Sequence, residues 1–185
     1  MTRAAYRPDI RPATPLAIAF DAAPRLRAIM LGAGTVGGGV LERLPGGVEI
    51  LGALARTERR IGETVATADA DTLFALNPDL VIEALPGGAL AETLLERAVV
   101  AGCHVITANK DVAARRPDLA RRAEAAGKVF ACSAAVGGGA PVLETAQRLT
   151  AAGATVLRVR GVLNGTSNFV LDRLARGELL SAAVK

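Results

Sequence analysis

The first stretch with an evident chemical use is RAIMLGAGTVGGGVLERL, Arg27 to Leu44. Within it Gly32, Gly34 and Gly37 form G-x-G-x-x-G, directly after an apolar run and directly before a helical pattern. Each glycine has a separate use at that spacing. Gly32 permits a tight turn, Gly34 lets the backbone approach a pyrophosphate, and Gly37 lets the helix pack closely on the preceding strand. A helix opening at Thr35 and Val36 presents free N–H groups and a partial positive charge to phosphate. The pattern predicts a dinucleotide site built on Gly32, Gly34, Thr35, Val36 and Gly37; the alternative is a turn used for packing alone. Gly38 and Gly39 are extra, and each costs a helix interior about 1 kcal/mol.

The residues that end the second apolar run discriminate between coenzymes. An Asp or Glu about 20 residues beyond the loop holds the ribose 2′-hydroxyl of NAD. Here the chain reads Ala55, Arg56, Thr57, Glu58, Arg59, Arg60. Arg56 and its neighbours suit a 2′-phosphate, because guanidinium grips phosphate in a forked geometry. The expectation is NADP, with NAD kept open by Glu58.

These loops need a scaffold, and the chain alternates two periods throughout. Strands are expected at Leu26–Leu31, Val48–Ala55, Leu80–Leu85, His104–Asn109, Lys128–Ser133 and Thr155–Val162. Helices are expected at Thr35–Leu44, Asp69–Leu76, Ala89–Ala101, Pro117–Ala126, Ala140–Ala152 and Ser167–Arg176. Alternation with short connections implies parallel strands joined by right-handed crossovers and covered by helices on both faces. The expected class is α/β, a doubly wound parallel sheet of the Rossmann type.

Composition sets limits on function. The 185 residues are 51% hydrophobic, 22% charged and only 3% aromatic, so the core must be built from Ala, Val, Leu and Ile. Mean hydropathy is +0.34, a globular value. The net charge of +4 is spread over scattered arginines with almost no aromatics among them to stack on bases. Nucleic-acid binding is therefore not expected. No apolar run approaches the roughly 20 residues needed to span a bilayer. Cys103 and Cys132 fall at opposite ends of adjacent parallel strands, beyond the reach of a disulfide, so free thiols and a cytoplasmic setting are expected. His104, the sole histidine, has no cluster of ligand residues around it and reads as a strand residue, and no metal site is expected. Residues 1–25, with prolines at 8, 12, 15 and 24, read as a flexible or irregular arm.

Three later stretches narrow the function: HVITANKDV from His104, VGGGAPVLET from Val136 and GVLNGTSNFVLDRL from Gly161. Together with the glycine loop and VIEALPGG, in this order and spacing, they resemble homoserine dehydrogenase from about Arg27 onward. TANK and NGTSNF are the most specific parts. The resemblance implies a nicotinamide-dependent oxidoreductase that interconverts homoserine and aspartate 4-semialdehyde, a small-molecule substrate, in a homodimer. It implies that Lys110 is catalytic and lies near the nicotinamide and the substrate oxygen. It also implies that Thr107, Gly87 and Gly88 border the cofactor, and that Asn164, Gly165 and Thr166 open the substrate region.

The residue types agree with that chemistry. An ammonium can stabilise the negative charge that hydride transfer builds on an aldehyde oxygen, and a neutral amine can accept the hydroxyl proton in reverse where burial lowers its pKa. Lysine occurs only at 110, 128 and 185 among many arginines, so a lysine kept in TANK points to a titratable amine. Local structure offers another reading of LNGTSN: Thr166 or Ser167 caps the following helix, and Asn164 with Gly165 makes the turn.

Two departures from the family pattern matter. Ser133-Ala134-Ala135-Val136 stands where the family carries EASV, and a serine cannot supply the glutamate charge of the family's monovalent-cation site. The family's acidic GYAE-DP stretch, with the Asp and second Lys beyond it, would follow NGTSNF and has no counterpart before Lys185. The chain thus reads as an NAD(P)-binding domain over 26–133 and a partial α+β substrate and dimerisation domain over 134–185. It is expected to be truncated and deficient in turnover. The alternative is a dinucleotide-binding or assembly module without catalysis.

Overall fold

A computed structural model describes residues 25–138, 140–161 and 164–184. The expected arm, apart from Arg25, and the end of the sixth expected strand at Val162 lie outside the described residues. Seven strands form one sheet: β1 (Leu26–Leu31), β2 (Val48–Leu54), β3 (Arg59–Ile61), β4 (Thr64–Thr67), β5 (Leu80–Glu83), β6 (His104–Thr107) and β7 (Phe130–Ala131). Their order is β3-β4-β2-β1-β5-β6-β7, and every pair is parallel except β3 with β4. The helices are α1 (Thr35–Leu41), α2 (Ala70–Phe74), α3 (Ala89–Val100), α4 (Lys110–Arg115), α5 (Pro117–Ala125), α6 (Val142–Ala151), α7 (Gly165–Ala175) and α8 (Leu180–Ala183). This is the expected α/β, Rossmann-like architecture.

Strand alternation divides the core into two layers, because successive side chains point to opposite faces. Ile29, Leu31, Val81 and Val105 face α2, α3 and α5, where they pack with Leu73, Leu94, Leu95, Leu119 and Ala123. Ala28, Met30, Ala53, Leu80 and Ile82 face the other way, toward Val40 and Leu41 of α1. The chain turns outward from β1 to β2 on one side and to β5 on the other. A crevice must therefore open beyond the carboxyl ends of β1 and β5.

Five expectations are corrected. First, α1 ends at Leu41 rather than Leu44. Three adjacent glycines weaken it, and Pro45 disfavours helical backbone just before it. Second, β3 and β4 form a hairpin that the pattern did not suggest. Its two-residue loop has positive φ at Gly62 alone, the sign pattern of a type II′ turn. Third, a short helix, α4, follows β6 directly. Asn109 caps it through a side-chain oxygen that accepts from the Val112 N–H. Fourth, the described part of the strand expected at Thr155–Val162, residues 155–161, is in no strand and is exposed. A strand needs a ladder partner, and none of the described residues supplies one there. Fifth, α7 starts at Gly165, and its cap is Asn164, which accepts from the Ser167 N–H at 3.0 Å, rather than Thr166 or Ser167.

Cys103 precedes β6 and Cys132 follows β7, and both are free thiols. The Cys103 thiol donates to the Pro78 carbonyl at 3.2 Å, and burial pushes its pKa up. His104 Nδ1 accepts from the Val129 N–H at 3.1 Å.

Candidate coenzyme site

The crevice predicted by the strand order is present as a cleft of about 880 Å³. Its floor is the glycine loop from Gly32 to Val36, and its far wall is the loop after β5, from Ala84 to Gly87. Arg56 and Arg59 close the side next to β2. The two walls meet tightly at Gly32. An added Cβ there would lie 2.7 Å from the Ala84 carbonyl oxygen, and φ is +97°. Only glycine fits both constraints. Gly37 is buried behind the loop, where a Cβ would run into the Gly32 carbonyl and come within 2.6 Å of Met30 Cε. Gly34 faces open space, with nothing within 4 Å of an added Cβ. The three glycines thus divide into two that allow close packing and one that leaves the backbone bare.

A dinucleotide fits these residues. Bare backbone at Gly34 and the first N–H groups of α1 can hold a diphosphate. The cleft walls are apolar (Leu54, Ala55, Ala68, Leu85, Pro86, Leu90), and no carboxylate lines them among the described residues. The only charged side chains among them are Arg56 and Arg59. Arg59 Nη2 donates to the Ala33 carbonyl at 3.0 Å and so reaches across from the hairpin to the glycine loop. In the sequence Arg59 stands only among the neighbours of Arg56. The signal for its position was the turn-forming Gly62-Glu63 pair, which folds the arginine back toward the loop.

The other predicted residues divide by place. Gly87 lines the cleft, and Gly88, with φ +123°, caps α3. An added Cβ at Gly87 would lie 2.5 Å from Asp111 Oδ2, so the start of α4 sits directly beside the cleft wall. Lys110 is the first residue of α4 and is exposed rather than buried. Thr107 is fully buried at the end of β6 and is not a cleft wall. Its hydroxyl donates to Glu83 Oε2, and its oxygen accepts from the Asn109 N–H at 2.9 Å. Asn164, Gly165 and Thr166 begin α7 and are absent from the cleft walls. Glu83 escaped the sequence reading, although a lone acid closing the apolar run LVIE was its signal. Among the described residues no group of three or more His, Cys, Asp or Glu is placed to hold a metal ion. No helix among them is long and apolar enough to cross a membrane.

A family model for "Homoserine dehydrogenase, NAD binding domain" matches residues 32–132, from the glycine loop through Cys132. The chain belongs to the homoserine dehydrogenase family. A second model of that family, "Homoserine dehydrogenase", matches residues 141–185. Among curated relatives, the homoserine dehydrogenase of Pseudomonas aeruginosa is 35% identical over an alignment of 159 residues that covers 77% of this chain and 36% of the relative. The crystal structure of a homoserine dehydrogenase from Thiobacillus denitrificans superposes with a TM-score of 0.71 at 29% identity, covering 86% of this chain and 41% of that one. A hyperthermophilic archaeal homoserine dehydrogenase in complex with NADPH shares the fold at 18% identity, with a TM-score of 0.68 over 86% of this chain and 59% of that one. The chain spans about two fifths of the length of curated homoserine dehydrogenases that it matches.

Proposed function

We propose that this chain binds NADP in the cleft between the glycine loop and the loop after β5, as the coenzyme-holding part of a homoserine dehydrogenase. The observation that carries this reading is the cleft itself: bare backbone at Gly34, apolar walls, two arginines and, among the described residues, no carboxylate on its surface. An NAD ribose would find no acid there to accept its 2′-hydroxyl, whereas a 2′-phosphate would meet Arg56 and Arg59. The archaeal structure that shares the fold holds NADPH, which supports a nicotinamide dinucleotide as the coenzyme.

The bound coenzyme supplies the hydride to the semialdehyde carbon, or accepts it from homoserine. The chain's own residues do the rest. Gly32 and Gly37 keep the loop tight, and the N-terminus of α1 holds the diphosphate. In this reading Lys110 donates from its ammonium to the substrate oxygen as charge builds there, and its free amine takes the hydroxyl proton in reverse. Its location supports the assignment. A cation at the first position of a helix opposes the helix dipole, so local stability gives no reason for lysine there. Asn164, Gly165 and Thr166 would face the substrate, and residues 134–185 would form part of the substrate and dimerisation domain. The apolar residues exposed on this part, Leu157, Phe169, Leu171 and Leu179, support a homodimer in which they are covered.

Titration of the full chain with NADPH and NADH tests the reading. Each charge-assisted bond to the 2′-phosphate contributes about 1.5–3 kcal/mol, so NADPH should bind at least about tenfold more tightly. NADH binding as tight or tighter overturns the NADP assignment. With homoserine and NADP+ supplied, Lys110→Ala should lose turnover while its NADPH affinity is kept. A wild-type chain that binds NADPH without any turnover favours the binding-module alternative.

A further inference from the structure

Glu83 is 1% exposed, at the carboxyl end of a central strand, and no step of the proposed reaction uses it. Burying a carboxylate is costly unless donors converge on it. Three do. The Leu85 N–H donates to Oε1 at 2.7 Å, the Asn109 side-chain amide donates to the same oxygen at 3.4 Å, and the Thr107 hydroxyl donates to Oε2. Glu83 and Thr107 are direct partners in the β5–β6 register, so their side chains meet on the same face of the sheet. The bonds then run onward. The Thr107 oxygen accepts from the Asn109 N–H at 2.9 Å, and Asn109 Oδ1 accepts from the Val112 N–H at 3.4 Å, capping α4. The next residue after that cap is Lys110. Among the described residues, Glu83, Thr107 and Asn109 are the buried polar or charged side chains, and all belong to this one relay.

An apolar residue would serve the strand at least as well, since replacing buried charge with well-packed hydrophobic groups is often neutral or stabilising. What the carboxylate adds is direction. It holds both donors of the turn between β6 and α4. A helix of six residues has little stability of its own and depends on such ties. The same carboxylate, through the Leu85 N–H, also ties down the loop that forms the cleft wall.

We propose that Glu83 is a positioning residue, which fixes the Thr107–Asn109 turn against the cleft wall so that Lys110 emerges beside the bound coenzyme. This rests on the reading that Lys110 works at the coenzyme. Glu83→Gln presents an amide donor to the Thr107 hydroxyl and strands a buried donor. Thr107→Val cuts the relay at its second member and leaves the Glu83–Leu85 bond intact.

The test is amine acetylation of the full chain with and without NADPH, read lysine by lysine by mass spectrometry. Lys128 precedes β7, at the opposite ends of the strands, and is the internal reference. At ten times Kd about one molecule in eleven is free, so a coenzyme lying over Lys110 slows its acetylation about tenfold and leaves Lys128 unchanged. In Glu83→Gln and Thr107→Val the expected result is an unchanged Tm ranking of ligand over apo, an NADPH Kd within about threefold of wild type, and Lys110 shielding reduced to less than about twofold. Full shielding in both folded variants overturns the positioning role alone. Failure of both variants to fold overturns it too, by making the relay a stability device. NADPH bound to wild type without shielding Lys110 instead sinks the underlying reading of Lys110, and this proposal with it.

Discussion

Gly37 and Gly38 are adjacent in α1, and the structure assigns opposite signs to their replacement by alanine. Neither has a positive φ, so alanine is allowed at both, and each gains about 1 kcal/mol of helix propensity. At Gly38 that gain stands alone, because nothing lies within 4 Å of the new methyl. At Gly37 the methyl meets the Gly32 carbonyl oxygen, lies 3.0 Å from its carbon and lies 2.6 Å from Met30 Cε. The methionine tip can give way; the backbone of the loop cannot without losing the turn. Overpacking of this kind costs about 1–3 kcal/mol, and a backbone neighbour puts it at the upper end. The net expectation is about 1 kcal/mol of stabilisation for Gly38→Ala and about 2 kcal/mol of destabilisation for Gly37→Ala. At about 2–4 °C per kcal/mol for a chain of this size, Tm should rise by about 2–4 °C in the first and fall by about 4–8 °C in the second. Circular dichroism melts read this directly. The same melts with NADPH at about 100 times its wild-type Kd should add about 2.7 kcal/mol of stability to wild type and little to Gly37→Ala. A Gly37→Ala chain as stable as Gly38→Ala, with its NADPH response intact, would refute the packing role of Gly37 and the loop geometry built on it.

Three further outcomes follow from local chemistry. Asp69 caps α2, accepting from the Asp71 N–H at 2.8 Å and the Thr72 hydroxyl at 2.7 Å; the latter bond is the main reason its pKa is lowered. Asp69→Ala should lower Tm by about 2–4 °C, and an unchanged melt would show that the cap is idle. Glu96 is lowered from its ordinary 4.5 chiefly by the Arg122 and Arg116 guanidiniums, and Asp118 from 3.8 chiefly by Arg116. The unfolded chain therefore binds more protons in this range, so their contribution is complete above about 4.5 and is lost as pH falls through 4.5, then 3.8 and below. Glu96→Gln should flatten the acid side of a Tm-against-pH curve, and an unaltered slope would remove this ion-pair group as its cause. Burial is the main cause that raises the pKa of both Cys103 and Cys132, so in the folded chain at pH 8 both should react with a disulfide reagent more slowly than in denaturant, Cys103 the more so. Equal folded and denatured rates for Cys103 would contradict its burial.

Much of this was legible in the sequence, for reasons particular residues make plain. The glycine loop announced itself because three separate constraints act at a fixed spacing, and two of them appear here as backbone collisions that only glycine avoids. Strands β1 and β5 read clearly because both faces of the sheet are covered there, which makes their apolar runs continuous. The hairpin of β3 and β4 did not, because Arg59 and Arg60 carry no apolar period and the strands are held by backbone pairing at a sheet edge. The strand expected from Thr155 has the right residues and no neighbour to bond with among the described residues, and composition cannot report a missing partner. Helix α4 is too short for periodicity to register. Its signal was chemical, an asparagine cap followed by Asp111 in the first turn. Glu83 was hidden for the opposite reason: a single acid after LVI looks like the polar end of a strand until its cross-strand partner is known.

The bond from Arg59 to the Ala33 carbonyl joins the outermost strand of the sheet to the phosphate loop. That strand is only three residues long and bears two consecutive cations, Arg59 and Arg60, which make it a poor template for recruiting a further strand. Under the NADP proposal, Arg59 shares in both coenzyme choice and colloidal behaviour. A lineage drifting toward the unphosphorylated nucleotide by discarding Arg59 would also strip a guard from the sheet's margin, and its descendants would need a new charge nearby to stay in solution.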